Sequence, residues 1–274
     1  MTATDRTTDT RTTDQHLLVG MERAVRDAGA RLRDRFDPTA RPGDAAGIWS
    51  ALAANDRVSL AVLQPALAAL RPTARWVDDE LESAPPPDGE HWIVDPVEGN
   101  INHIHGLPDW CVSATLVRDG NAVLTAVAFP VSGRVYTARA GGGAFVDGGT
   151  LSASTKSDLA AGFVGTAQAS PGEPAETLTR ISASIDVMLR RALLVRLAVP
   201  ATVGLVTVAE GSTDVFWQHS PVISGLAAGT LLVQEAGGVV TDTAGAPWRP
   251  GSSDVVAAAP ALHADALDAL ASVR

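Results

Sequence analysis

The sequence is poor in cysteine and in aromatic residues. Its 274 residues include a single cysteine, Cys111, which excludes an internal disulfide and a cysteine-based zinc site. Aromatic residues make up 4% of the chain, and alanine, valine, leucine and glycine dominate in their place, a composition that suits helices packed tightly against sheets. Hydrophobic residues still reach 46%, so the chain can bury a sizeable core and is not disordered as a whole.

Basic residues and long apolar runs are also scarce. The chain has 21 lysine and arginine residues against 31 acidic residues, and its net charge of −10 argues against a nucleic-acid-binding protein. The longest apolar runs, such as 123–131, are too short to span a bilayer, so we expect no membrane-spanning segment. Residues 1–15 lack the apolar middle section of a secretory signal. We therefore expect a cytoplasmic protein.

The distribution of apolar residues divides the chain into a short tail and one domain. Residues 1–14 are rich in threonine and aspartate and have almost no apolar side chains, which predicts a disordered tail. The rest, 15–274, is expected to form a single domain. Its N-terminal α+β half spans 15–155, and its C-terminal α/β half spans 156–274.

Apolar periodicity predicts the elements within each half. Apolar residues three and four apart between Leu17 and Phe36 indicate one helix. A second helix is predicted over 60–70, with Asp56 near its start as a capping carboxylate. A buried strand over 91–95 and an antiparallel meander over 112–138 follow, and the C-terminal half alternates strands with helices. These elements predict a layered α/β protein.

Acidic residues cluster at the end of the first buried strand. Asp95 ends the apolar segment and Glu98 follows it, with the carbonyl of Val97 between them. Such oxygen ligands can converge on a hard cation, and Asp79, in an acidic run upstream, could add another. Acids at strand ends also cap turns, and for an isolated Asp-x-x-Glu that structural interpretation is the better one.

The context of these acids resembles a known family. Residues 92–108, WIVDPVEGNINHIHGLP, resemble the signature of the inositol monophosphatase family, W-I-I/V-D-P-I/L-D-G-T-x-N-F-x-H-G-x-P. Three further segments resemble motifs of that family in the same order: a glycine turn over 136–151, a strand over 211–217 and a helix over 227–238. The resemblance covers roughly 16–272. It implies the layered αβαβα sandwich of magnesium-dependent, lithium-sensitive sugar-phosphate phosphatases.

The resemblance also implies roles for individual residues. Asp79, Asp95 and the Val97 carbonyl match ligands of the first metal ion, and Asp56 matches an acid that orients the attacking water. In this family Mg²⁺ ions activate a water, clamp the phosphoryl oxygens and stabilise the leaving alkoxide. The family binds small molecules and forms dimers, so the resemblance implies a small-molecule ligand and a homodimer.

Several positions depart from the family pattern. Glu98 stands in place of an aspartate, and Asn100 stands in place of the threonine whose hydroxyl helps to orient water. Gly225 replaces an aspartate that holds the second metal ion, so we expect one Mg²⁺ site rather than two. Gln218 replaces an acid that holds a substrate hydroxyl. Val199-Pro200 replaces a Gly-Ser/Thr pair, and Pro200 has no N–H to donate.

Two sets of candidate residues follow. His103 and Asp109 lie beside the signature, and a histidine with a pKa near neutrality is a natural acid or base. The predicted catalytic residues are Glu98, Asn100, His103, Asp56 and Asp109. The predicted substrate-binding residues are Gly99, Gln218, His219, Ser224, Gly225, Val199 and Pro200. A structural role for His103 and His219, as loop residues with backbone partners, is equally open.

Three functions compete on these observations. The departures favour, narrowly, an enzyme that kept the pocket but carries out non-hydrolytic chemistry on a small specialised metabolite. The first alternative is a Mg²⁺-dependent phosphomonoesterase acting on a sugar, cyclitol or nucleotide monophosphate, for which restoring the acid by Gly225→Asp should raise phosphate release. The second alternative is a non-catalytic protein that binds a ligand or supports a partner. Fold alone does not decide among them.

Overall fold

The computed structural model describes residues 3–77, 88–168, 172–220 and 222–273. Within these ranges the chain forms seven α-helices and two β-sheets. The helices are α1 (Ala3–Arg33), α2 (Ala45–Leu70), α3 (Asn100–Ile104), α4 (Ala175–Arg191), α5 (Ala201–Ala209), α6 (Ile223–Glu235) and α7 (His263–Leu270). No helix in the part that the structure describes is long and apolar enough to cross a membrane.

The first sheet has seven strands in chain order. They are β1 (Arg75–Trp76), β2 (Glu90–Glu98), β3 (Cys111–Arg118), β4 (Asn121–Phe129), β5 (Arg134–Arg139), β6 (Gly143–Val146) and β7 (Gly149–Thr150). The strands from β2 onward pair antiparallel, which confirms the predicted meander. Nearly every residue of β3 is buried, because helices cover both faces of this sheet.

The second sheet has five strands in the order β11-β12-β10-β8-β9. Their bounds are β8 (Phe163–Thr166), β9 (Leu194–Leu197), β10 (Val215–Gln218), β11 (Val239–Thr241) and β12 (Val255–Ala258). Parallel pairing joins β8 to both β9 and β10, with α4 connecting the first pair, while β12 runs antiparallel to its neighbours. This mixed sheet matches the predicted alternation of strands and helices in the C-terminal half.

Three hydrophobic clusters hold the layers together. Helices α1 and α2 pack on the outer face of the first sheet. Helices α5 and α6 lie between the two sheets, and α4 and α7 cover the outer face of the second. Residues 223–233 of α6 are all buried, as expected for a helix enclosed on every side. The order of layers is αβαβα, which confirms the fold that the resemblance implies.

Two N-terminal details differ from the sequence-based expectations. Helix α1 begins at Ala3 and so runs through most of the segment predicted to be a disordered tail, and Asp14 is buried and accepts hydrogen bonds from Arg118. Helix α2 begins at Ala45 and is capped by Asp44, so Asp56 lies in its interior and caps nothing. The division at residue 15 into a tail and a single domain stays a prediction.

The glycine-rich stretch after β5 forms a tight turn held by one carboxylate. Both oxygens of Glu235, at the end of α6, accept hydrogen bonds from the backbone N–H groups of Gly141, Gly142 and Gly143 at 2.7–3.1 Å. Gly141 and Gly143 have φ angles of 65° and 89°, which favour glycine. The turn therefore ties the first sheet to α6, which carries part of the site described next.

Candidate active site

An irregularity in β2 presents two acids at one end of the strand. Asp95 pairs with Ser113 and Glu98 with Cys111, so the register shifts between the two acids. Asp95 Oδ1 accepts a hydrogen bond from the backbone N–H of Val97 at 3.0 Å, which folds the chain around the carboxylate. A β-bulge of this kind re-aims side chains at the end of a strand. It brings Asp95 and Glu98 together, as the sequence predicts.

The two carboxyl groups lie close enough to affect each other's ionisation. Glu98 is buried and Asp95 is half-buried. Burial first, and then the negative charge and hydrogen bond of Glu98, raise the pKa of Asp95 well above its usual value. Asp56 adds a smaller repulsion. Such a pair of adjacent carboxylates is costly without a cation, and it offers the oxygen ligands that Mg²⁺ prefers.

The first turn of α6 faces these acids. Ser224 Oγ donates to Asp95 Oδ2 at 3.4 Å. A methyl group at residue 225 would lie 2.7 and 2.8 Å from the two carboxylate oxygens of Glu98, and 2.8 Å from Oγ1 of Thr202. The Glu98 carboxylate therefore fills the space in front of Gly225. Thr202, which sequence reasoning missed, donates to the Gly225 carbonyl at 3.2 Å and joins α5 to this turn.

Asn100 and Asp56 form a second polar group. Asn100 Nδ2 donates to Asp56 Oδ1 at 2.9 Å and to the carbonyl of Leu52 at 3.2 Å. Its Oδ1 accepts from Nδ2 of Asn55, also at 2.9 Å. These bonds fix the orientation of the Asn100 amide. Burial raises the pKa of Asp56, although the hydrogen bond from Asn100 opposes the rise.

His103 was expected as an acid or base and is instead a core residue. Its Nδ1 lies 3.0 Å from Asn55 Nδ2, and its Nε2 lies 3.0 Å from the carbonyl oxygen of Leu32. Because a carbonyl only accepts, Nε2 donates and Nδ1 accepts, which makes the ring neutral. Phe36 and Trp110 pack against the ring, and burial lowers its pKa. These contacts favour the structural alternative, and the catalytic role of His103 stays a prediction.

The junction between α3 and α5 requires a glycine at residue 99 and leaves the Asp109 side chain exposed. Gly99 has a φ angle of +77°, and a methyl group there would lie 2.8 Å from Pro200 Cδ and 2.9 Å from the Asp109 carbonyl. Asn102, which sequence reasoning also missed, donates to the carbonyls of Asp109 and Val199 at 2.7 and 2.8 Å. The Asp109 side chain is exposed and lies 4.0 Å from Arg196. These residues close the junction between α3 and α5.

Gln218 and His219 lie at the end of β10 and form no described contact with the two acids of β2. Both are buried, and Gln218 Nε2 donates to the carbonyl of Ser220 at 2.9 Å. Neither ring nitrogen of His219 has a hydrogen-bond partner among the described residues. Burial, followed by the charge of Arg180, lowers the pKa of His219 to about 4. The two predicted substrate-binding residues are thus enclosed in the protein.

The described part of the site fits a cation only incompletely. Within residues 3–77, 88–168, 172–220 and 222–273, no three metal-ligating side chains stand together. Asp79, predicted as a further ligand, lies outside the described residues. The adjacent carboxylates of Asp95 and Glu98 nevertheless supply oxygen ligands of the kind that a hard cation prefers. Metal ligation by these residues stays a prediction.

Comparisons with known proteins agree with this fold. A family model described as "Inositol monophosphatase family" matches residues 13–274. The inositol-1-monophosphatase of Rhizobium meliloti is 34% identical over 202 residues, which cover 72% of this chain and 74% of that protein. Nus factor SuhB of Xylella fastidiosa is 32% identical over 155 residues, which cover 57% of this chain and 56% of that protein.

Structural similarity extends over nearly the whole chain. The solved structure of an inositol monophosphatase from Anabaena has a TM-score of 0.78 and 24% sequence identity, and the match covers 95% of this chain and 97% of that one. This similarity supports the αβαβα fold. Because the family model spans residues 13–274 and includes both acids of β2, the chain belongs to the inositol monophosphatase family.

Proposed function

We propose that the protein hydrolyses phosphate monoesters of small molecules with the help of Mg²⁺. The observation that carries this proposal is the pair of adjacent carboxylates, Asp95 and Glu98, at the bulged end of β2. Family membership supports the same reaction. The non-hydrolytic chemistry favoured by the sequence loses the support of two of its acid/base candidates, because His103 makes core hydrogen bonds and Asp109 is exposed beside Arg196.

The residues that would hold the cation are Asp95, Glu98 and the carbonyl of Val97, together with Asp79. The inositol monophosphatase family is generally magnesium-dependent. When bound, Mg²⁺ supplies Lewis-acid stabilisation of the phosphoryl oxygens and of the leaving group. Ser224, which donates to Asp95, holds one carboxylate oxygen in position for this role.

Asp56 is the residue that we expect to orient the attacking water and to receive its proton. Its Oδ1 is held by the amide of Asn100, and its raised pKa makes it a better proton acceptor than an ordinary aspartate. The water oxygen bonds to phosphorus, and the ester P–O bond breaks. Its electron pair goes to the alcohol oxygen, which takes up, through solvent, the proton that Asp56 received from the water, so that the carboxylate is restored. Asn100 has no hydroxyl and acts by fixing Asp56.

The substrate class proposed is a sugar, cyclitol or nucleotide monophosphate, and the protein is proposed to work in the cytoplasm as a homodimer. The support for the dimer is an exposed apolar surface along β9, an edge strand of the second sheet. Leu193, Leu194 and Leu197 are each about 60% exposed there. Because exposed apolar clusters mark interaction surfaces, Leu194→Lys should shift a dimer towards monomer in light scattering coupled to size-exclusion chromatography.

The test is phosphate release from a panel of sugar, inositol and nucleotide monophosphates with excess Mg²⁺. We expect wild-type turnover that chelation with EDTA abolishes, and a loss of about 100-fold or more in Asp95→Asn and in Asp56→Asn. Asp27→Asn is the matched control, because Asp27 is an exposed acid on α1 that pairs with the likewise exposed Arg23. A folded wild-type protein that releases no phosphate from any substrate in the panel would overturn the proposal.

A further inference from the structure

Two of the departures from the family pattern lie in contact with each other. The family pattern has an aspartate at position 98 and another at position 225, and this chain has Glu98 and Gly225. A methyl group at residue 225 would lie under 3 Å from both carboxylate oxygens of Glu98. The longer acid therefore occupies the volume that any side chain at residue 225 would need.

The surroundings leave little room for either residue to move. Glu98 is buried, and residues 223–233 of α6 are buried on every side. Thr202 closes the same space, because its Oγ1 would lie 2.8 Å from a methyl group at residue 225. In a closely packed protein interior, an added atom displaces its neighbours.

We propose that Glu98 and Gly225 are a matched pair, in which the longer acid on β2 supplies the carboxylate that the family pattern carries on α6. The proposal rests on the phosphatase function proposed above for its use of Mg²⁺. It changes the interpretation of Gly225, which provides the space that Glu98 requires, while the site keeps one of the two acids that the pattern has at these positions. The cation site then keeps an acid beside the first turn of α6.

The proposal reverses the expectation for Gly225→Asp. The single substitution does not restore the family site, since it forces a second carboxylate against Glu98. The restoring change is the double variant Glu98→Asp/Gly225→Asp, in which the acid on β2 shortens as the acid on α6 appears. Glu98→Asp alone leaves the space beside Gly225 unfilled.

Thermal unfolding without metal tests the packing part of the proposal. Alanine is normally favoured over glycine in a helix, so Gly225→Ala should raise Tm unless neighbouring side chains obstruct the methyl group. Both Glu98 and Thr202 do so in the wild type, so we expect Gly225→Ala to lower Tm there and to lower it by clearly less in a Glu98→Ala background. Gly47→Ala is the matched control, because Gly47 is likewise the third residue of its helix and a methyl group there would meet only Asp44 Oδ1, at 3.2 Å.

The contact with Thr202 is common to both backgrounds, so the comparison isolates Glu98. Equal changes of Tm in the two backgrounds would overturn the pairing. Should Gly225→Ala not fold in the wild type, the Glu98→Ala/Gly225→Ala variant must still fold. Failure of both proteins to fold would also overturn it.

Calorimetric titration with MgCl₂ tests the ligand part. We expect measurable binding to the wild type and to Glu98→Asp/Gly225→Asp, within about tenfold of each other, and at least a tenfold weaker affinity in Glu98→Gln. If Glu98→Gln binds Mg²⁺ as tightly as the wild type, or if the double variant does not bind it, Glu98 does not supply the carboxylate that the family pattern carries on α6, and the proposal is overturned. If binding and Tm behave as expected while no phosphate is released, the matched pair stands and the proposed phosphatase function falls.

Discussion

Acidification should destabilise the protein through His219. This side chain is buried, and neither ring nitrogen has a hydrogen-bond partner among the described residues. Burial and the nearby charge of Arg180 lower its pKa from 6.5 to about 4, while the carboxylate of Asp254 opposes the change. The folded protein thus keeps His219 neutral at a pH where the unfolded chain protonates it.

The sign of the effect follows from proton binding. Between pH 6.5 and 4 the unfolded state binds more protons at His219 than the folded state does, so the free energy of unfolding rises with pH. The contribution of the neutral His219 ring to the free energy of unfolding is fully present well above pH 6.5. It is lost progressively as the pH falls towards 4, where the folded state also begins to protonate.

The magnitude follows from the two pKa values. With 6.5 in the unfolded state and about 4 in the folded state, the loss between pH 7 and pH 5 is about 2 kcal/mol. Asp95 and Asp56, with raised pKa values, and His103, with a lowered one, also contribute to the pH dependence. The part due to His219 is therefore the difference between the wild type and a variant without this ring. A loss of this size is a large share of the stability of an ordinary domain.

Urea unfolding at pH 7, 6 and 5 measures the loss. His219→Leu removes the titrating ring without breaking a described hydrogen bond, and it should lose about 2 kcal/mol less than the wild type over this range. His16→Leu, on the exposed surface of α1, controls for the removal of a histidine. An equal pH dependence in the wild type and in His219→Leu would refute the reasoning.

Three further substitutions test the contacts that shape the site, each by urea unfolding. Gly99→Ala should cost about 1–3 kcal/mol, because alanine is strained at a φ of +77° and its methyl group would meet Pro200 Cδ at 2.8 Å. Asn55→Leu should cost about 2–3 kcal/mol, since it leaves the amide of Asn100 and the ring of His103 without their shared partner. Glu235→Gln should cost about 1–2 kcal/mol and speed amide exchange in the glycine turn that its carboxylate holds. A variant whose free energy of unfolding equals that of the wild type would contradict the role given to the contact that it removes.

Most of the fold could be predicted because its elements have strong local signals. The meander predicted over 112–138 coincides with β3, β4 and β5, and Asp119 and Gly120, with positive φ angles, form the turn between the first two of these strands. The start of α2 was missed because the residues of its first turns are mostly exposed and add no buried apolar stripe, and Asp44 rather than Asp56 supplies the cap. Helix boundaries depend on such capping contacts more than on periodicity.

The site was predicted less completely, since its chemistry depends on contacts between distant segments. The spacing of Asp95 and Glu98 was informative because both lie on one strand end. The commitment of His103 to Leu32 and Asn55 joins residues far apart in the chain, and no local pattern signals it. Asn102 and Thr202 were missed for the same reason.

The departures at this site are better judged by the contacts they keep than by the residue types they replace. Asn100 lacks a hydroxyl, yet its amide binds Asp56, and Glu98 places its carboxylate beside Gly225. Electrostatic interactions depend on where a charge lies and on its surroundings, and not on which residue carries it. Glu98 and Gly225 are therefore best counted as one change, because the longer acid fills the space that the missing side chain leaves. Counting them as separate losses overstates the decay of the site, which is why the sequence alone favoured a change of reaction.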